Sequence, residues 1–227
     1  MKNILTIIKK QIKDTVKNKP VLIQFLMFPV MTLVFENAID VDMPELFFTK
    51  MFSSMYVGMA PLVAAASIIS EEKEKNTLRV LMMAGVRPFE YLIGVSAYIW
   101  ILCMAGSAVM ATSLPSRDIP FFMAMMGAGC IISIFIGACI GIFAKNQMVT
   151  SSLMVPVMLI LSFSPMLAMF NDKIEKAARF VFTQQIKVAV DGMSFESAGR
   201  FGVGVLFANA ALALVLFFAA FRKKGLE

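Results

Sequence analysis

SEEKEKNTLRVLMMAGVRPFEYLIG, residues 70–94, is the most densely charged stretch lying between two long apolar runs of this 227-residue chain. Glu71, Glu72, Lys73, Glu74, Lys75, Arg79, Arg87 and Glu90 fall inside a sequence that is otherwise mostly hydrocarbon, so these charges must face water or another protein. Leu78, Leu81 and Met82 recur at helical spacing, Gly85 can take the left-handed conformation that ends a helix, and Pro88 suits the first turn of the next. The stretch predicts a short amphipathic helix, a stop and a restart.

Working outward, 59% of the residues are hydrophobic and the mean hydropathy is +0.80, well above the roughly 45–50% apolar content of a soluble domain. The chain is an integral membrane protein of the all-α class, because a helix satisfies its own backbone in lipid. A net charge of +6 would suggest a nucleic-acid partner in a soluble protein, but no basic patch with interleaved aromatic residues occurs, and nucleic acid is set aside. Cys103, Cys130 and Cys139 sit in apolar runs without a CxxC pair and are read as packing residues. There is no histidine, which removes imidazole metal sites and the usual general base.

Taken in order, residues 1–19 place Ile4, Ile8, Ile12 and Val16 on one stripe and Lys9, Lys13 and Lys17 on another, the pattern of an amphipathic helix lying in the membrane interface against anionic lipid. The lysines interrupt its apolar stretch and no small-residue cleavage site follows, unlike a signal peptide. Six spans are predicted: 20–35, which is short and contains Gln24 and Pro29; 51–70, loosened at Pro61; 91–114; 119–144; 148–170, with Pro156 and Pro165; and 201–221. An acidic loop with Glu36, Asp40, Asp42 and Glu45 joins the first two, and a tight turn at 115–120 makes the third and fourth antiparallel neighbours. Trp100 stands mid-span, where it is expected to pack on a neighbouring helix. The fourth span repeats Gly129, Ser133, Gly137 and Gly141 four apart, a ribbon that admits another helix closely, within the subunit or between two subunits. Residues 171–200 are too charged to cross and too apolar for a free loop, which predicts a short helical insertion tucked against the outer face. No repeat or linker divides the chain, so 1–227 is one domain.

With the N-terminus inside, fourteen of the twenty-one basic residues fall in the cytoplasm against six of the fifteen acidic ones, which satisfies the positive-inside rule and puts both termini and residues 70–90 on the cytoplasmic side. No span interior carries Asp, Glu, Lys, Arg or His, the groups that ion-coupled carriers and pumps need at membrane depth. Nor does any glycine precede a lysine, as a phosphate-binding GxxxxGK[ST] loop requires, and no GxSxG or intramembrane carboxylate pair supports an enzyme. Energy must therefore come from another polypeptide. Met55, Met59, Met154, Met158, Phe163 and Met166 in the second and fifth spans are candidates for an apolar substrate path, since methionine adapts to varied apolar ligands; packing residues are the bland alternative.

The charged stretch resembles the loop after the second span of ABC-2 type membrane subunits of ATP-driven exporters, which runs Glu-Lys-Glu-x-Gly-Thr-Leu-Glu-x-Leu-Leu-x-x-Pro-Val-x-x-x-Glu-x-Leu-x-Gly-Lys. Glu72, Lys73, Glu74, Thr77, Leu78, Leu81, Val86, Glu90, Leu92 and Gly94 match in order; Asn76, Arg79, Met82, Gly85 and Val95 depart. Asn76 is a mild departure, since asparagine tolerates glycine's positive φ. The resemblance implies an interfacial N-terminal elbow, a cytoplasmic coupling helix docking on an ATP-binding subunit, and a helical insertion before the last span. It further implies a bacterial plasma-membrane exporter in which two permease subunits, identical or paralogous, work with two ATPase copies, and in which ATP and Mg are bound by the ATPase and no cofactor by this chain. On that reading Glu71, Glu72, Lys73, Glu74, Thr77, Leu78, Leu81 and Glu90 form the coupling site. Leu81 would bury in the ATPase groove, while Glu72 and Glu74 would pair with its rim or hold the loop against the chain's own N-terminal helix. The cargo would be amphipathic or lipophilic: an antimicrobial peptide, a lipid or a drug. The alternative is a non-transporting immunity or sensor subunit.

Overall fold

The computed structural model describes residues 2–17, 19–38 and 44–224. Asp40 and Asp42 of the expected acidic loop lie outside them. Among the described residues there are ten α-helices and no strand: α1 Lys2–Lys17, α2 Lys19–Ala38, α3 Phe47–Glu74, α4 Thr77–Met83, α5 Pro88–Met110, α6 Ile119–Phe143, α7 Gln147–Ala168, α8 Asp172–Ala178, α9 Phe182–Asp191 and α10 Phe195–Lys224. Five (α3, α5, α6, α7 and α10) are long and apolar enough to cross a membrane, and α2 contributes a shorter apolar segment, Leu22–Ala38.

The bundle is built around α3. Its apolar window is 83% buried, against 28% for α7 and 22% for α10, and it touches α2, α4, α5, α6, α7 and α9. On one side a ladder of rings ties it to α2, with Phe28 against Phe52 and Tyr56 and Phe35 against Phe48 and Phe52 at centroid distances of 5.3–6.3 Å. Glu36 at the end of α2 accepts the Thr49 N–H (2.9 Å) and hydroxyl (3.1 Å), placing a negative charge at the N-terminus of α3. On the other side lies α6. The small-residue ribbon of α6 faces α3 within the chain: a Cβ on Gly137 would stand 2.2 Å from the Leu62 carbonyl oxygen, one on Gly141 2.9 Å from that of Ala66, and one on Gly129 2.5 Å from Val57. The Trp100 indole N–H donates to the Gly127 carbonyl at 3.1 Å, joining α5 to the same helix.

Four prolines stand inside helices, Pro29, Pro61, Pro156 and Pro165, each removing the N–H that would serve the carbonyl four residues earlier, and at two of them a hydroxyl from another helix takes its place. Pro61 leaves the Val57 carbonyl of α3 bare, and the Ser133 hydroxyl of α6 donates to it at 2.6 Å. Pro165 leaves the Leu161 carbonyl of α7 bare, and the Thr183 hydroxyl of α9 donates to it at 2.6 Å.

Residues 171–200 differ from the single outlying helix expected of them. They hold α8, α9 and the start of α10; α8 and the start of α10 lie at the surface, and α9 does not. In α9, Phe182, Ile186, Ala189 and Val190 are buried among α3, α6, α7 and α10, with Ile186 against Gly129, ten residues and about 15 Å into α6. Two of its polar side chains are met by backbone, Thr183 by Leu161 and Gln185 by the Arg179 carbonyl (2.6 Å), while the buried Gln184 side-chain oxygen has no partner among the described residues. Antiparallel α9 and α10 form a hairpin, Asn209 donating to the Phe180 carbonyl at 3.0 Å and Ser197 abutting Gly192. Gly199, at φ 63°, breaks α10 two residues further on, where a side chain would be strained.

The N-terminal helix likewise packs on more than its aliphatic stripe. Ile7, Gln11 and Thr15 are its buried side, set along α5, while Ile4 and Ile8 are half-buried and Ile12 and Leu5 exposed. The Ile7 side chain occupies the space that a Cβ on Gly94 would need, at 2.9 Å.

Gly137→Val should be among the most damaging single changes in the bundle. Branched carbon cannot fit against the Leu62 carbonyl, so the α3–α6 seam must open, at an expected cost of about 1–3 kcal/mol or more. The thermal midpoint of the purified protein in mild detergent measures it, with Gly204→Val, where nothing lies within 4 Å, as the tolerated control.

Candidate functional site

The charged stretch folds as helix, break, helix, break, helix. The first helix is α3 itself, which continues past the expected span end at Ser70 to Glu74. Asn76 then takes the left-handed conformation (φ 56°) and opens α4. At the other end the Gly85 N–H bonds the Met82 carbonyl and the Val86 N–H bonds that of Leu81, with Gly85 at φ 87°, the paired closure that glycine makes possible after a helix. Arg87 and Pro88 start α5, and the Glu90 carboxylate accepts the Arg87 N–H at 3.0 Å.

Three consecutive side chains at the end of α3 point, at about 100° per residue, to three different neighbours. Glu72 is buried and accepts from Lys10 and from Gln11 (2.6 Å) of α1. Its second oxygen lies beside the buried Tyr91 hydroxyl of α5, neither atom having a well-formed hydrogen bond. Lys73 donates to the Ile142 carbonyl in the last turn of α6 at 2.7 Å. Glu74 accepts the Gln147 N–H in the first turn of α7 at 2.8 Å, where Asn146 caps the Val149 N–H at 2.9 Å. A cation thus sits on the negative end of one helix and an anion on the positive end of the next. Glu71 pairs with Lys75 at the surface.

Glu90 makes the remaining tie, accepting the Asn3 amide of α1 at 3.0 Å. The Arg87 N–H first, and the Asn3 amide second, hold its carboxyl below the ordinary glutamate range. A lowered pKa in the folded state stabilises above the unfolded value and is lost as pH falls through the lowered one, so this tie is intact at neutral pH.

Of the residues singled out from the sequence, Glu72, Lys73, Glu74 and Glu90 are therefore committed to the chain's own helices. Leu78 is fully buried, Thr77 and Leu81 half-buried. The groups left facing outward are ones the helical spacing of Leu78, Leu81 and Met82 did not mark: Val80, Met83 and Phe89 are 57%, 73% and 55% exposed, flanked by exposed Arg79 and Arg87. Spacing finds the residues that a helix buries, and in α4 those serve its own chain. Met55 and Met154 are buried in the common core of the bundle, and Met59, Met158, Phe163 and Met166 pack against it half-buried. Among the described residues no group of three or more Cys, Asp or Glu side chains is placed to hold a metal ion.

A model of the ABC-2 family transporter proteins matches residues 2–222. No curated protein matches the chain.

Because Glu72 and Glu74 hold this chain together, reversing them to lysine would disturb the fold as well as any partner. The informative change is Lys10→Ala, which leaves a buried carboxylate with Gln11 as its hydrogen-bond donor and should cost about 1–3 kcal/mol. Glu72→Gln in the same background removes the stranded charge and should recover part of that loss, measured as the thermal midpoint of the single and double variants.

Proposed function

The chain belongs to the ABC-2 family of transporter proteins, membrane subunits that work with an ATP-binding subunit, and from that premise we propose that it is the permease of a bacterial exporter whose ATPase docks on α4. The observation that carries this is the outward trio Val80, Met83 and Phe89 on and beside α4, a helix set between the end of α3 and the start of α5, which Glu72, Lys73, Glu74 and Glu90 tie to α1, α6 and α7. An exposed apolar cluster on a water-facing segment favours a protein partner, and the ties give a push on α4 somewhere to go. The charge asymmetry of the sequence supports a cytoplasmic α4 and cytoplasmic termini in a plasma membrane. Two nucleotide sites call for two such helices, hence two ATPase copies and a second permease subunit, identical or paralogous. ATP and Mg belong to the partner ATPase.

The cargo we assign is amphipathic or lipophilic, an antimicrobial peptide, lipid or drug. Met51–Ile69 of α3 and Val149–Ala168 of α7 carry no Asp, Glu, Lys, Arg or His, and Met55, Met59, Met154, Met158, Phe163 and Met166 give these helices adaptable apolar surface for a path opened at a subunit boundary. Moving a bare ion or a glycan along such walls would leave polar groups unpaired, at several kcal/mol each, about 2–7 by transfer measurements.

Two measurements separate these parts. Coexpressed with the ATPase encoded beside it, the wild-type chain should copurify with that ATPase, while Val80→Glu/Met83→Glu should lose most of the partner with unchanged membrane yield; copurification unaffected by the change overturns the docking surface. In the reconstituted complex, ATPase turnover should rise with amphipathic peptides or lipophilic cations. Stimulation confined to Na⁺ or hydrophilic glycans overturns the cargo assignment.

A further inference from the structure

The residues of α4 divide into two arcs. At about 100° per residue Thr77, Leu81, Leu78 and Met82 share one arc, where Leu78 is buried and the others half-buried, while Arg79, Met83 and Val80 share the opposite one and are all exposed. Met83 stands in the middle of the outward arc, with Arg79 at one edge and Val80 at the other. Beyond the turn at Gly85, exposed Arg87 and Phe89 again set a guanidinium beside an apolar side chain. The outward surface is apolar with two arginines at its margin.

Every carboxylate of residues 70–94 is already engaged within the chain. Glu71 pairs with Lys75, Glu72 accepts from Lys10 and Gln11, Glu74 accepts the Gln147 N–H, and Glu90 accepts the Arg87 N–H and the Asn3 amide. Of the four cations in the stretch, Lys73 sits on the Ile142 carbonyl and Lys75 on Glu71. The guanidinium groups of Arg79 and Arg87 make no ion pair among the described residues. At the same end of the bundle Asp14 is turned to Lys10, and Lys9, Lys13, Lys145 and Arg222 are exposed. Folding has committed the negative charge of the segment to this chain and left positive charge on the outward arc.

We infer that Arg79 and Arg87 set which ATPase this chain accepts: the groove that receives Val80, Met83 and Phe89 carries carboxylates on its rim, one facing each guanidinium. The inference rests on the permease reading and deepens it, from the place of docking to the charge of the surface that docks. Apolar side chains supply contact area, but they suit any apolar groove. A guanidinium pressed against a neutral or basic rim loses water and gains no partner, so the two arginines discriminate against grooves without acid. Because the planar guanidinium bonds both oxygens of a carboxylate, they select by direction as well as by sign. The positive field of the surrounding lysines adds to the rate at which an acidic face arrives.

The test is the dissociation constant of the ATPase encoded beside this chain, measured on the full chain in nanodiscs of zwitterionic lipid over a series of NaCl concentrations. Wild type should bind, and more weakly as salt rises. Arg79→Glu/Arg87→Glu should weaken binding on the order of a hundredfold and flatten its salt dependence. The thermal midpoint should stay unchanged, because neither guanidinium has an ion pair to lose. Arg79→Gln/Arg87→Gln, which removes the charge without reversing it, should fall between. In Arg79→Lys a zero-length carbodiimide should join the introduced amine to an Asp or Glu of the ATPase. Reversing that acidic residue to lysine should restore binding to Arg79→Glu and weaken binding to wild type. If both arginine double variants bind as wild type does while Val80→Glu/Met83→Glu abolishes binding, the inference is overturned and the docking surface stands. An arginine effect confined to discs containing anionic lipid assigns the guanidiniums to headgroups and overturns it as well. Absence of wild-type binding even at low salt counts against the permease reading itself, and the inference falls with it.

Discussion

A carbonyl oxygen inside a bilayer has no water to turn to, and two of them decide how this bundle is assembled. Proline at 61 and at 165 strips Val57 and Leu161 of their helical donors, and the chain can keep both kinks only by bringing a hydroxyl from another helix within reach. Ser133 reaches Val57 because α6 presents glycine on either side of it, at Gly129 and Gly137, so that the two backbones approach closely enough for a one-carbon hydroxymethyl side chain to span the gap. Thr183 reaches Leu161 because α9 is buried in the bundle instead of resting on it. The ribbon of α6 and the inserted hairpin of α9 and α10 are two answers to one requirement.

The same requirement explains what was legible in the sequence. Long apolar runs, their charged borders and the small-residue ribbon are local signals, and the all-α membrane bundle follows from them. So do the turn chemistry of Asn76, Gly85 and Pro88, each residue standing where the backbone needs its particular freedom or restriction. Residues 171–200 were harder, because periodicity reports only that α9 has an apolar side. Whether its polar side meets water or backbone depends on a carbonyl twenty-two residues away, freed by a proline whose consequence is not local. The N-terminal helix forms where its stripe predicts it, yet the side it packs is a different one. Its buried seam of Ile7, Gln11 and Thr15 is mixed in character, and the neighbouring aliphatic stripe is the louder pattern.

At the α4 end, charge was legible but its direction was not. A run of Glu-Lys-Glu in a polar segment reads as a surface offered to a partner. Instead each of the three is spent on this chain, and the outward surface is made by the apolar residues between the charges. In water such ties would be worth little. Here Glu72 is buried with Lys10 and Gln11, and the lysine and second glutamate address helix ends, where four backbone groups are left over at every terminus and a fixed charge of the right sign finds a ready partner.

Lys73 and Glu74 carry an evolutionary corollary. Each of them bonds a main-chain atom, the carbonyl of Ile142 and the amide of Gln147, which every residue but a proline at 147 supplies and whose polarity no substitution can invert. A salt bridge between side chains can drift by exchanging both charges at once, and such pairs betray themselves by changing together. A charge read by a helix terminus has no second gene position to negotiate with. The sign at 73 and the sign at 74 are each fixed independently, and methods that infer proximity from paired changes would miss the fastening of α3 to α6 and α7.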